Sequence, residues 1–246
     1  MRAAFQYIRS VVFIGQMYLA MLVLAVVFLP YAIWHRDGAL RAMHSYCRYV
    51  RWSAAVIAGL RSEVRGEVPQ GAVLVAAKHQ SFFDILLIFA ALPRPRFIMK
   101  KQLVYAPFLG WYALRVGCVP VDRGKRGQAI RDMTARVKAG AETPGQLIIY
   151  PQGTRVAPGV KKPYKVGTAV LYSELGQDCV PVATNVGVFW PRHSLFRKPG
   201  LAVIEFLPPI PAGQPSRVFL AELEEVVETR SEALRQEALA ALAGRG

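Results

Sequence analysis

The stretch Val73–Ala91, VLVAAKHQSFFDILLIFAA, decides the fold of this chain. Its first five residues, Val73–Ala77, are an apolar run that predicts a buried strand, and the apolar run that begins at Phe82 is long enough for a helix. Between and just inside these two elements lie His79 and Asp84. The sequence therefore places two side chains with acid-base chemistry at a strand-to-helix junction.

The spacing of Ser81 and Asp84 is that of a capping box, so we predict Ser81 as the helix N-cap and Asp84 in the first turn. A carboxylate there can accept a hydrogen bond from one imidazole nitrogen of His79. The other nitrogen is then free to take a proton from a substrate hydroxyl. The alternative is that Asp84 only caps the helix and His79 is a structural loop residue, and the pattern H-x-x-x-x-D alone does not decide between the two.

The composition indicates an anionic partner and contact with lipid. The chain has 246 residues, 53% of them hydrophobic, and a formal charge of +15. This charge suits nucleic acid, an anionic bilayer or phosphorylated substrates. No nucleic-acid-binding motif is present, which disfavours the first. The three cysteines are widely spaced, so neither a zinc site nor a disulfide framework is predicted, and a reducing compartment fits best.

An uncharged segment, Val11–Ile33, predicts a membrane-anchoring helix. About 23 helical residues extend roughly 34 Å, enough to cross a hydrocarbon core of ~30 Å. A signal peptide is the competing interpretation, and a hairpin broken near Gly15 or Pro30 is a third. Arginines flank the segment on both sides, so the positive-inside rule does not fix its orientation.

The next segment, Ala39–Leu60, has an apolar and a basic line at helical spacing. An interfacial helix on an anionic bilayer and an ordinary core-facing helix both fit, and we favour the first because a membrane segment precedes it. The apolar line is Leu40, Met43, Cys47, Val50, Ala54 and Ile57, and the basic line is Arg41, His44, Arg48 and Arg51.

From Val64 onward short strands alternate with helices, which predicts an α/β layer architecture with the site at the carboxyl ends of the strands. The predicted strands are Glu63–Gly66, Val73–Ala77, Arg96–Met99, Cys118–Val121, Leu147–Tyr150, Val180–Val188 and Leu201–Phe206. The predicted helices are Phe82–Leu92, Pro107–Arg115, Gln128–Gly140, Val166–Leu175 and Ser216–Leu242. The last helix is acidic on one side and is most simply a packed end piece.

Three further stretches end an apolar run with a charged or turn-forming group. They are Gly117–Arg123 (GCVPVDR), Leu147–Arg155 (LIIYPQGTR) and Val180–Val182 (VPV), whose proline predicts an edge strand or a bulge. Arginines, a hydroxyl and glycine-rich backbone amides at strand ends can bind a phosphate monoester. A surface salt bridge is the alternative for each arginine taken singly.

The four stretches KHQSFFD, GCVPVDR, YPQGTR and VPV, in this order and at these separations, closely resemble the four sequence blocks of the glycerolipid acyltransferase family. The segment MKKQLVYAPFLGWYALR between the first two is also similar to the family. The resemblance implies a mixed sheet flanked by helices, with an N-terminal membrane-anchoring helical segment. We expect membrane-anchoring and interfacial helices over residues 1–60 and the α/β acyltransferase domain over residues 61–246.

The resemblance implies that His79 is the general base and that Asp84 orients it. The implied acceptor-binding residues are Arg123, Gln152, Gly153, Thr154 and Arg155. The expected reaction moves an acyl chain from acyl-CoA or acyl carrier protein to the 2-hydroxyl of lysophosphatidate, giving phosphatidate. No metal or other cofactor is expected beyond the thioester co-substrate. Membrane lipids are expected partners, nucleic acid is not, and the active site is expected on the cytoplasmic side of the inner membrane.

The chain departs from the family pattern at two positions. Gln152 stands where the third block usually has Glu, and Lys78 stands where the first usually has Asn. Lys78 adds a positive charge beside His79, which we expect to favour the neutral imidazole. The alternatives left open are another acceptor, such as glycerol 3-phosphate or a lyso-ornithine lipid, and a non-catalytic membrane-surface protein.

Overall fold

The structure is a computed structural model and describes residues 2–122, 135, 137 and 145–244. Its strands are β1 (Leu60–Arg65), β2 (Val73–Ala77), β3 (Pro95–Lys100), β4 (Val119–Val121), β5 (Gln146–Ile149), β6 (Cys179–Thr184) and β7 (Gly200–Phe206). They form one sheet in the order β1-β7-β6-β2-β5-β3-β4. All neighbours are parallel except β6 and β7, which confirms the expected mixed sheet.

The helices that the structure describes lie before, between and after these strands. They are α1 (Arg2–Val27), α2 (Leu29–Trp34), α3 (Gly38–Ser53), α4 (Phe83–Ala91), α5 (Leu109–Arg115), α6 (Val166–Leu175), α7 (Val186–Phe189) and α8 (Ser216–Ala243). A π-helical turn, Ala54–Ala58, extends α3, and a 3₁₀ turn, Lys101–Tyr105, precedes α5. The predicted helix Gln128–Gly140 lies outside the described residues except for Ala135 and Val137.

Both faces of the sheet are covered, which is why β2 is a continuous apolar run. Successive side chains of a strand point to opposite faces. Val75 and Ala77 belong to the core cluster that includes α4, and Leu74 and Ala76 to the cluster that includes α6 and α8. The same alternation continues past the strand end and decides where the next two side chains go.

The N-terminal segment is helical but is not one helix over Val11–Ile33. Helix α1 begins at Arg2 and ends at Val27, and α2 follows after Phe28 with Pro30 in its first turn. Proline has no N–H to bond the preceding turn, so the break falls at one of the two positions considered for a hairpin. By length and composition, Ala3–Val27 could cross a membrane.

Helix α3 packs on the protein through its apolar line, so the expected interfacial placement of that face is wrong. Cys47, Val50 and Ala54 are buried in the cluster that contains α4, and Leu40 and Met43 pack against it. The core-facing alternative is therefore the one the structure shows. Residues 1–60 share this core with the sheet, and the division of the chain at residue 60 stays a prediction.

Strand β6 is internal, so the edge strand expected from Pro181 is wrong, but the alternative, a bulge, is present. The strand lies between β7 and β2. Val182 pairs with Phe206 whereas Cys179 bridges Ile210, which shifts the register by one residue across Pro181. Pairing with β7 starts at Val182, one residue after Pro181, and the Pro181 carbonyl still accepts a hydrogen bond from Leu207 N at 2.9 Å. The proline thus stands where no N–H toward β7 is needed.

The strand predicted over Val180–Val188 ends at Thr184 because Asn185 takes over the pairing with its side chain. Asn185 Oδ1 accepts from Val203 N at 2.8 Å, and Thr184 Oγ1 accepts from Val186 N at 3.1 Å. The chain then turns into the short helix α7. This correction does not change the position of the site.

We predict that Phe219→Ala destabilises the protein by about 3–5 kcal/mol, because it leaves a cavity in a packed core. Phe219 of α8 is fully buried and stacks on Tyr172 of α6 with ring centroids 3.7 Å apart. Leu239→Ala, on an exposed part of the same helix, should change stability by less than about 0.5 kcal/mol. Denaturant unfolding in detergent measures both, and equal losses would contradict the assignment of α8 to the core.

Candidate active site

The loop between β2 and α4 brings His79 and Asp84 together. His79 Nδ1 lies 2.9 Å from Asp84 Oδ1. Asp84 is fully buried in the first turn of α4, and its Oδ2 accepts hydrogen bonds from the backbone N–H groups of Gln80 (2.8 Å) and Ser81 (2.7 Å). A buried carboxylate is stable only when it is paired and hydrogen-bonded, and here it is both.

Ser81 takes part in this junction but is not the N-cap itself. Helix α4 begins at Phe83 with Phe82 as its N-cap, and Ser81 Oγ accepts from Phe83 N at 3.2 Å. The bond from Ser81 N to the Asp84 carboxylate is the returning half of a capping box. The contacts expected of a capping box are therefore present, but the helix begins at Phe83, one residue later than a Ser81 N-cap would place it.

Tyr150, which the sequence reasoning did not single out, fixes the imidazole from a second direction. Its ring stacks on His79 with centroids 3.9 Å apart, and its hydroxyl donates to Asp84 Oδ1 at 3.2 Å. Burial, together with the neighbouring Asp84, raises the pKa of Tyr150 well above its ordinary value, so the hydroxyl stays a donor. Its position directly after β5, as the first residue of the block YPQGTR, is the signal that could have identified it.

These contacts assign the two imidazole nitrogens. An ionised carboxylate accepts only, so Nδ1 of His79 carries the proton that is shared with Asp84. Nε2 is then the nitrogen that can accept a proton. The His79 side chain is 13% exposed, which gives a ligand access to it from one side.

The turn after β5 lies beside His79 because β2 and β5 are neighbours in the sheet and their carboxyl ends meet at one edge. Val156 N donates to the His79 carbonyl at 2.8 Å, which joins the turn Gly153–Arg155 directly to the loop of the histidine. Gly153 has φ +68°, a conformation that favours glycine. Thr154 and Arg155 are half-buried at this turn.

Lys165 is a second cation at the turn that sequence reasoning missed. A Cβ atom on Gly153 would lie 2.8 Å from Lys165 Nζ, so the ammonium group covers the turn closely. Lys165 N also donates to the Pro151 carbonyl at 3.0 Å. Arg155, Lys165 and the Thr154 hydroxyl together suit a phosphate group.

Arg123, the other predicted phosphate ligand, lies outside the described residues. Gln152 is placed differently from the expectation. Its side chain is 1% exposed and lies beneath the turn, where Nε2 donates to the Lys162 carbonyl at 3.1 Å and is 3.4 Å from Glu228 Oε1. The structure thus gives Gln152 a supporting position, and its predicted role as a substrate ligand is not reflected in these contacts.

Lys78 does not add a free charge beside the imidazole. Its side chain follows the alternation of β2 to the opposite face of the sheet, where Nζ lies 2.6 Å from both carboxylate oxygens of Glu228. The lysine charge is thus paired with a carboxylate on the far face of the sheet, and its expected effect on His79 stays a prediction. Sequence reasoning gave no role to Glu228, which lies 150 positions away.

An apolar cavity of ≈ 100 Å³ lies between α1, α3, α4 and α5. Phe82, three residues after His79, lines it together with Met43 and Leu86. Within the described part of the chain, no group of three or more His, Cys, Asp or Glu side chains is arranged to hold a metal ion. The expectation that the reaction needs no metal or other cofactor stays a prediction.

Comparison with known proteins finds relatives that are named as 1-acyl-sn-glycerol-3-phosphate acyltransferases. The chain is 26% identical over 188 residues to the 1-acyl-sn-glycerol-3-phosphate acyltransferase of Pseudomonas aeruginosa, which covers 76% of this chain and 73% of that protein. It is 28% identical over 176 residues to the enzyme of that name from Saccharomyces cerevisiae, covering 69% of this chain and 58% of the yeast protein.

The fold matches that of the crystal structure of the 1-acyl-sn-glycerophosphate (LPA) acyltransferase PlsC from Thermotoga maritima. The TM-score is 0.79, with 19% identity over 96% of this chain and 99% of that one. A family model described as Acyltransferase matches residues 61–185, which is half of the chain and includes both the His79–Asp84 pair and the Gly153–Arg155 turn. The chain therefore belongs to the acyltransferase family.

Proposed function

We propose that this protein transfers an acyl chain from a thioester to the 2-hydroxyl of 1-acyl-sn-glycerol 3-phosphate and so forms phosphatidate. The observation that supports this best is that His79 lies beside the Gly153–Arg155 turn, which suits a phosphate group. Val156 N, directly after this turn, donates a hydrogen bond to the His79 carbonyl. A hydroxyl and a phosphate on one small acceptor can reach both groups at once. The names of the relatives point to the same acceptor.

The imidazole acts as the general base in this proposal. His79 Nε2 takes the proton of the acceptor hydroxyl while the oxygen attacks the thioester carbonyl carbon. Collapse of the tetrahedral intermediate breaks the carbon–sulfur bond, and the imidazolium returns the proton to the departing thiolate. Asp84 stabilises the imidazolium and holds its orientation, and does not itself take up the proton.

The transfer is direct, without an acyl-enzyme. Cys118 and Cys179 are buried, and burial raises the pKa of the Cys118 thiol to about 11 and that of Cys179 further. Thiols of this kind are poor nucleophiles. The sequence also contains no G-x-S-x-G motif for a serine nucleophile.

The acceptor phosphate is bound by Arg155, Lys165 and the Gly153–Thr154 turn, with Arg123 as a further predicted ligand. Guanidinium groups recognise phosphate oxygens in a bidentate manner, and an ammonium group adds charge. The acyl chain of the donor enters the apolar cavity beside Phe82, because a buried apolar wall is the surface that excludes water from an alkyl chain. CoA and acyl carrier protein both remain donors in this proposal.

The protein acts at a membrane, where its acceptor is found. Helix α1 is long and apolar enough to cross a bilayer, and exposed large apolar side chains continue beyond it at Trp34, Trp52 and Trp111. The charge of +15 attracts both an anionic surface and an anionic donor. We place the active site on the cytoplasmic side, where acyl thioesters are made.

We expect His79→Ala to lower kcat for thiol release by about 10²- to 10⁴-fold, the usual contribution of a general base. His35→Ala, at an exposed position, should leave kcat unchanged. The assay uses vesicles with lysophosphatidate and an acyl-CoA or acyl carrier protein donor, with glycerol 3-phosphate and lyso-ornithine lipid as alternative acceptors. Equal rates of parent and His79→Ala above background would refute the proposal, and a preference for another acceptor would correct it.

Arg155→Ala should raise the KM for lysophosphatidate by about tenfold or more, since a hydrogen bond to a charged group contributes ~1.5–3 kcal/mol. The KM for the thioester should change much less. Arg217→Ala, exposed at the start of α8, removes the same charge and serves as the matched control. Equal effects of the two variants would indicate a general charge effect in place of phosphate binding.

Ala42→Phe should shift donor preference toward shorter acyl chains, because Ala42 is buried in the cavity wall and a larger side chain removes space there. The measurement is kcat/KM over a series of donor lengths, normalised to the shortest donor that parent and variant both use. A uniform fall at all lengths would contradict the placement of the acyl chain.

A further inference from the structure

A polar cluster lies behind the candidate active site, on the face of the sheet opposite His79, and all its members except the partly exposed Glu228 are buried. It consists of Lys78, Gln152, Tyr164 and Glu228. Lys78 is 3% exposed, and its Nζ lies 2.6 Å from both oxygens of the Glu228 carboxylate. Tyr164 OH donates to Glu228 Oε1 at 3.0 Å, and Gln152 Nε2 is 3.4 Å from the same oxygen.

The cluster connects three parts of the chain through one carboxylate. Lys78 directly precedes His79, and Gln152 directly precedes the Gly153–Arg155 turn. Glu228 belongs to α8, one residue after Val227, which is fully buried in the core on that face. A rigid core helix therefore supplies the group that both loops of the site contact from behind.

We propose that Glu228 is a positioning residue for acyl transfer. It fixes the position of the His79 loop relative to the Gly153–Arg155 turn. This inference rests on the proposed function and deepens it. A charge-assisted bond from Lys78 fixes the end of β2, and the bond from Gln152 fixes the end of β5. Because a displacement of about 1 Å at reacting groups can cost 10²-fold in rate, a support of this kind acts on catalysis without touching the substrate.

The cluster also accounts for the amide at position 152. Among its four members it has one cation, the buried Lys78, and one carboxylate, Glu228, whose side chain is 21% exposed, and the Glu224 carboxylate lies nearby, 3.4 Å from Tyr164 N. A carboxylate at position 152 would add a second negative charge next to the first, with no second cation to compensate it. Lys78 Nζ and Gln152 Nε2 both contact Glu228 Oε1. If residue 228 were neutral, a glutamate at position 152 would therefore be close enough to pair with Lys78 in its place.

The test is a charge relocation with Glu228→Gln, Gln152→Glu and the double variant Glu228→Gln/Gln152→Glu. Glu225→Gln, at an exposed position of the same helix, is the matched control. Lys78→Met/Glu228→Gln removes both charges and serves if the single variants do not fold, since neutral replacement of a buried pair is usually tolerated. For each purified full-length protein, thermal unfolding, kcat and KM for lysophosphatidate, and the ¹⁵N resonances of the His79 imidazole are measured.

We expect each single variant to lower kcat by about 10- to 100-fold with a smaller change in KM, because the reacting groups are displaced. The double variant should be more active than either single one, and Glu225→Gln should equal the parent. The folded Lys78→Met/Glu228→Gln protein should also have low kcat. Parental kcat in a folded Glu228→Gln or Lys78→Met/Glu228→Gln protein would overturn the inference, and so would a Glu228→Gln/Gln152→Glu variant that is no more active than the more active of the two single variants.

The imidazole resonances separate this inference from the proposed function. If the parent protein releases no thiol with lysophosphatidate, the proposed function fails. The positioning role is then decided by whether Glu228→Gln, or Lys78→Met/Glu228→Gln where the single variant does not fold, shifts the His79 ¹⁵N resonances while Glu225→Gln does not. Unchanged resonances in the folded variant would show that Glu228 does not position His79.

Discussion

The burial of the Asp84 carboxylate is the interaction on which the rest of the site depends. A fully buried negative charge must be matched by donors, and Asp84 receives them from His79, from two backbone N–H groups and from Tyr150. The same contacts that satisfy the charge shape the loop, begin α4 and fix the tautomer of the imidazole. The contacts that fold this loop are thus the same contacts that orient His79.

The alternation of side chains along β2 sends the next two residues, Lys78 and His79, to opposite faces of the sheet. His79 follows Val75 and Ala77 toward α4, whereas Lys78 follows Leu74 and Ala76 toward α8. A one-residue shift in register would exchange the base with its neighbour, so the apolar pattern of the strand fixes which side chain faces the substrate. Parallel pairing with β5 then brings the Gly153–Arg155 turn to the same edge.

Short-range features of the fold and site could be predicted from sequence, and long-range ones could not. The strand Val73–Ala77, the helix after it and the His79–Asp84 pair follow from apolar runs and capping spacing within a few residues. The contacts of Glu228 and Lys165 join distant segments, and no local pattern encodes them. The wrong predictions of an edge strand at Pro181 and of a lipid-facing apolar line on α3 have the same cause, because each depended on what the neighbouring element would be.

The two positions at which the chain departs from the family pattern, 78 and 152, meet at one carboxylate in the structure, because both side chains contact Glu228. Taken separately, the lysine suggests a free charge beside the base, and the amide in the third block suggests a lost charge at the acceptor site. In the fold the lysine points away from the base and the amide lies next to a carboxylate from α8. The negative charge is therefore present behind the site and is supplied from a different element of the chain. The charge at a site is set by all the groups that the tertiary structure brings there, since electrostatic compensation acts through space and not along the sequence.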